Sequence, residues 1–141
     1  MKCTIAVGKR RARKASLQIS LSTPPRFHPP HTELSLVAED SSGAVGSLVL
    51  NCIDLGLVPT TDLLFGKAYS FDRACVSGTE IAESVFVAPD EDTLELSRLD
   101  LRFGVPDGKW LTLEIDATCY RPPETEEVVV RVRALVELAD A

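Results

Sequence analysis

Apolar and polar residues alternate along most of this chain with a period of two. Leu17, Ile19 and Leu21 alternate with Gln18 and Ser20. Leu111, Leu113, Ile115, Ala117 and Cys119 share one parity, with Thr112, Glu114, Asp116 and Thr118 on the other. Val128, Val130, Val132, Ala134, Val136 and Leu138 do the same opposite Arg131, Arg133 and Glu137. This is the signature of strands with one face in a core and one in water. The stretch TLELSRLDLRF breaks parity at Ser97–Arg98, with Leu94 and Leu96 before the slip and Leu99, Leu101 and Phe103 after it. One extra residue there, as a β-bulge, would keep both apolar sets facing the core.

Turn residues divide the pattern. VAPDEDT and GVPDGKW both carry Pro-Asp, which favours a turn, and Gly108 can supply the positive φ of a hairpin. The spacing predicts strands near 2–7, 15–22, 33–39, 46–53, 68–76, 81–88, 93–104, 109–120 and 127–138, the last four as an antiparallel meander. TPPRFHPPH is too rich in proline for a ladder and reads as an extended loop. LGLVPTTDLLFGK holds the one plausible helix, a short one capped at Thr60 or Thr61. The expectation is an all-β single domain over residues 1–141: an antiparallel β-sandwich, or a partly closed barrel, of about eight to nine strands.

Charge changes the picture. The formal charge is −6, yet residues 1–32 carry seven bases and no acid, while residues 33–141 carry eight bases and all 21 acids. Within the basic segment, Lys9, Arg10, Arg11, Arg13 and Lys14 occupy five of six consecutive positions. They fall between two strands, with Gly8 leading in, so a charged hairpin turn is expected. Such a knot can bind an acidic protein surface, phosphate polymers or anionic lipid, or can simply guard a strand edge. Nucleic acid is disfavoured because no aromatic lies in residues 1–26 and the acidic remainder repels a polyanion. Peripheral contact with an anionic membrane is the weaker alternative to protein contact. RRARKAS also resembles a basophilic kinase site with Ser16 as acceptor, a match common by chance.

Candidate chemistry is sparse. There is no G-x-S-x-G, phosphate-binding loop or G-x-G-x-x-G motif. His28 and His31, the only histidines, could form half of a metal site with Glu33, but a surface loop is favoured and no metal or cofactor is expected. The acids Asp90, Glu91, Asp92, Glu124, Glu126 and Glu127 read as solvated turns and fit no calcium-loop pattern. Cys3, Cys52, Cys75 and Cys119 are widely spaced among apolar or small residues and read as reduced, mostly buried thiols. Trp110, Glu114 and Tyr120 share the polar face of one strand and make a modest candidate ligand face. Val129, Arg131, Arg133 and Leu135 give the last strand a half-apolar outer face that a partner could cover.

No apolar run reaches the ~18–20 residues of a membrane helix, and the start lacks the order of a secretory signal. A cytoplasmic location is therefore expected. The function expected is non-enzymatic: an interaction or assembly domain, self-associating or binding another protein through Lys9, Arg10, Arg11, Arg13 and Lys14. The alternative is a β-module that binds a lipid headgroup, carbohydrate or cation.

Overall fold

The computed structural model describes residues 2–23, 30–72, 81, 83–90 and 92–138. Nine antiparallel strands follow the alternation: β1 (Lys2–Val7), β2 (Arg13–Ser22), β3 (Glu33–Asp40), β4 (Ser47–Asp54), β5 (Ala68–Asp72), β6 (Val85–Val87), β7 (Thr93–Phe103), β8 (Trp110–Tyr120) and β9 (Glu127–Glu137). Neighbours in the sheet run β7-β6-β4-β3-β2-β1-β9-β8, and β8 returns to β7. That last pairing closes eight strands into a barrel, so the architecture is a barrel and not the two-layer sandwich. The ninth strand, β5, pairs with the far half of β7, Ala68 opposite Arg102 through Asp72 opposite Arg98. The final four strands form the expected meander.

The parity slip is a bulge. Leu96 faces Cys119 and Arg98 faces Thr118, so Ser97 is the extra residue. Leu96, Leu99, Leu101 and Phe103 all remain buried. A second bulge was not legible in sequence. In β4 the register shifts between Leu50 and Ile53, and Cys52 takes φ 53 while its amide donates to Ser35 Oγ at 3.1 Å. The bulge turns Asn51 and Cys52 outward and keeps Leu48, Leu50 and Ile53 inside.

Two expected elements, the helix and the strand over 81–88, are shorter than their patterns. The helix is a single 3-10 turn, Thr61–Leu64, and Thr60 precedes it without a side-chain cap. Its role is to place Leu64 in the core. The strand expected over 68–76 is described over Ala68–Asp72, and that expected over 81–88 is Val85–Val87. Residues 73–76, His28, Cys75 and Glu91 lie outside the described residues.

Inward side chains of all nine strands merge into one buried apolar cluster. An eight-stranded barrel is just wide enough for side chains to fill it. On the outer wall Thr112, Glu114, Arg131, Gln18 and Ser20 face solvent, and half-exposed Val37, Val49 and Val85 form a row across β3, β4 and β6. No described helix is long and apolar enough to cross a membrane.

Candidate functional site

Because consecutive strands pair, one end of the barrel is ringed by four hairpins. In order round the rim they are β1–β2, β3–β4, β6–β7 and β8–β9. The basic hairpin β1–β2 thus stands across the mouth from β6–β7. The opposite end carries the loops β2–β3, β4–β5 and β7–β8.

The basic hairpin forms as expected. Gly8 takes φ 59, a left-handed conformation that costs a glycine little. The Arg10 amide donates to the Val7 carbonyl at 3.1 Å, and the Gly8 amide donates to Val129 O at 2.9 Å. Arg131 Nη1 reaches Gly8 O at 3.5 Å. These bonds tie the turn to β9. Lys9, Arg10, Arg11, Arg13 and Lys14 are all exposed. Among the described residues none of the five pairs with a carboxylate; the ion pairs lie elsewhere.

The β3–β4 hairpin beside it is rigid for a different reason. Asp40 is 3% exposed, and its carboxylate accepts from the Ser42 amide (3.1 Å), the Ser42 hydroxyl (2.9 Å) and the Val45 amide (2.9 Å). Desolvation pushes this carboxyl up, and the hydrogen bonds from Ser42, Val45 and Ala44 outweigh it, leaving it below the usual range. The Ser41 amide donates to Lys14 O at 3.2 Å, joining the two hairpins. Asp40 was not singled out in the sequence; the nearest signal was its D-S-S-G string, which suits an Asx turn.

The remaining hairpins are acidic. Asp90, Glu124, Glu126 and Glu127 are exposed. Asp92 pairs with Arg121 at 2.8 Å, and Ser97 donates to Glu127 Oε2. A cleft of about 500 Å³ crosses the mouth between the basic and acidic sides. Its floor is Val7, Val45, Phe86, Ala88, Leu94 and Val128, and its cationic rim is Lys9, Arg10 and Arg121. Arg121 Nε is buried there with no hydrogen-bond partner among the described residues.

Other candidate residues are dispersed. Arg133 Nη1 donates to Ile115 O (3.1 Å) and Val132 O (3.0 Å), and its Nη2 lies 2.9 Å from Asp116 Oδ1. The side chain therefore lies flat on the wall. Leu135 and Val129 are half-buried on the same strand as exposed Arg131, at opposite ends of it. Trp110 and Tyr120 stand ten residues apart on β8, about 34 Å at the usual rise, so they do not share a site. Glu114 lies 4.0 Å from Arg102 in the outer ladder of charges. Nearby Asp100 accepts from Arg98 at 2.9 Å and Ser70 at 2.6 Å; Arg98 first, then Ser70, hold its carboxyl below the usual range against partial desolvation.

His31 Nε2 is 3.6 Å from Glu33 Oε2. Among the described residues no three His, Cys, Asp or Glu side chains converge as metal ligands would. Burial raises the Cys3 thiol and pushes Cys119 up to about 12, so both are thiols and poor nucleophiles at neutral pH. Cys52, in contrast, is exposed on its bulge. Ser16 is exposed but locked into the ladder opposite Glu39. A second, apolar cleft of about 160 Å³ lies at the other end of the barrel, between Ile19, Leu21, Leu64, Phe103, Val136 and Leu138.

No protein-family model matches the chain, no curated protein matches it, and no solved structure matches it.

Proposed function

We propose that this protein is a non-enzymatic docking domain that binds an acidic protein surface through the β1–β2 hairpin. The observation that carries the reading is five exposed cations, rigidly presented, with no carboxylate partner among the described residues. Unpaired like charges this close repel one another and add nothing to the fold, whereas an acidic partner would relieve them. The apolar floor beside them adds contact area that charge alone lacks. A cytoplasmic location remains part of the proposal.

The test is binding of fluorescent poly-L-glutamate at low protein concentration. The comparison is wild type against a variant with Lys9, Arg10, Arg11, Arg13 and Lys14 changed to Ala. The proposal expects saturable binding in ~20 mM salt that weakens at least tenfold in the variant and falls steeply as salt shortens the screening length to about 8 Å at physiological strength. Equal binding by both proteins, or preference for duplex DNA or anionic vesicles over poly-L-glutamate, overturns it.

A further inference from the structure

We infer that the acidic partner is a second copy of this chain, docked end to end about a two-fold axis. The inference rests on the reading of the β1–β2 hairpin as a docking element, and names what it docks to. The four hairpins follow one another round the rim in the order β1–β2, β3–β4, β6–β7, β8–β9. The basic hairpin and the acidic β6–β7 hairpin stand on opposite sides of one mouth. Let two barrels meet at this end, related by a two-fold axis that lies across the mouth, at right angles to the line from the basic hairpin to the seam between the β6–β7 and β8–β9 hairpins. Rotation then carries each basic hairpin over the partner copy's acidic side.

Both contacts form at once, because a two-fold interface repeats every contact. Arg10, Arg11 and Lys14 would face Asp90 of the other copy, with Glu124 and Glu126 on the adjoining hairpin. The half-buried Val7, Ala88, Leu94 and Val128 between the two charged sides would meet their own equivalents. At the other end of the barrel Lys109 pairs with Glu137 at 2.9 Å, and among the described residues Lys2 and Lys67 stand with Glu33, Asp54, Asp62 and Asp107. Because the two-fold pairing uses the basic and the acidic side of both copies at once, the expected assembly is a closed dimer.

Two charge-reversed proteins test this. One carries Arg10→Glu, Arg11→Glu and Lys14→Glu; the other carries Asp90→Lys, Glu124→Lys and Glu126→Lys. All six side chains are exposed, and thermal melts check that each variant folds. Light scattering on wild type should give twice the 15.3 kDa chain mass at low salt and the chain mass in 1 M salt. Each variant alone should be monomeric, since its two sides now carry like charge. An equimolar mixture should restore the dimer. A wild-type monomer at every salt and concentration overturns the inference, and so does a dimer that ignores both variants or growth into longer polymers. Poly-L-glutamate binding that persists in a monomeric wild type would leave the docking reading standing alone; loss of both would end both.

Discussion

Deleting Ser97 and deleting Asp100 should have opposite consequences, although the two residues are three apart on β7. Ser97 is the residue that the ladder skips. Without it Leu96 and Arg98 still face Cys119 and Thr118, now in a regular strand, and every apolar side chain keeps its side. The loss is the one hydrogen bond that the Ser97 hydroxyl's single proton donates, to the Glu127 carboxylate or the more distant Thr118 carbonyl. The cost is about 0.5–1.5 kcal/mol. Deleting Asp100 leaves two poor choices. The lower half of the strand can flip, which takes Leu101 (1% exposed) and Phe103 (3%) out of the core. Otherwise the bulge straightens, which turns Leu99 outward and drives the Arg98 guanidinium inward. Burying such a side chain contributes about 1.5–3 kcal/mol, so the flip costs about 3–6 kcal/mol, and the alternative adds an unpaired buried cation. A domain of this size has about 5–15 kcal/mol in all. Urea denaturation of the two deletion variants measures the difference. Equal loss in both, or a more damaging Ser97 deletion, would refute the assignment of Ser97 as the absorbed residue.

Further outcomes follow from single groups. Gly46 has φ 109, and a Cβ there would overlap the Val87 carbonyl, so Gly46→Ala should lower the melting temperature sharply while Gly43→Ala, which meets no atom, pays only for its φ of 75; paired thermal melts decide. Asp40 has its carboxyl depressed in the fold, so its contribution is complete above the ordinary carboxylate range and is lost as pH falls through the lower folded value. Asp40→Asn should therefore reduce stability at neutral pH and flatten the decline below about pH 4, as read from urea midpoints across pH. Iodoacetamide on the folded protein near pH 8 should modify Cys52 and spare Cys3 and Cys119, as read by peptide mass spectrometry; early modification of Cys119 would contradict its burial and raised pKa.

Strand positions were readable because period-two alternation reports which face of a residue is buried, and the slip at Ser97 showed as a change of parity. The β4 bulge escaped notice because Asn51 and Cys52 carry no such signature: a cysteine among apolar residues reads as inward. Closure was also hidden. It depends on β8 meeting β7 while β7's other edge is shared by β6 and β5, and no local pattern records a pairing between distant edges. Buried Thr32 illustrates the same limit. Its hydroxyl accepts from the Val58 amide at 2.9 Å and donates to Val58 O at 3.2 Å, sealing the far end of the barrel through a contact 26 residues away. The basic hairpin itself was plain from Gly8 and the run of charge. That it faces an acidic hairpin across a shared mouth needed the order of the strands.

The most direct measurement is zero-length carbodiimide cross-linking of an equal mixture of ¹⁴N- and ¹⁵N-labelled wild type at low salt. The account predicts mixed-isotope links that join Lys9 or Lys14 of one copy to Asp90, Glu124 or Glu126 of the other, and predicts their loss in 1 M salt. Links confined within single copies, or mixed links that involve Lys67 or Lys109 at the far end instead, would contradict it.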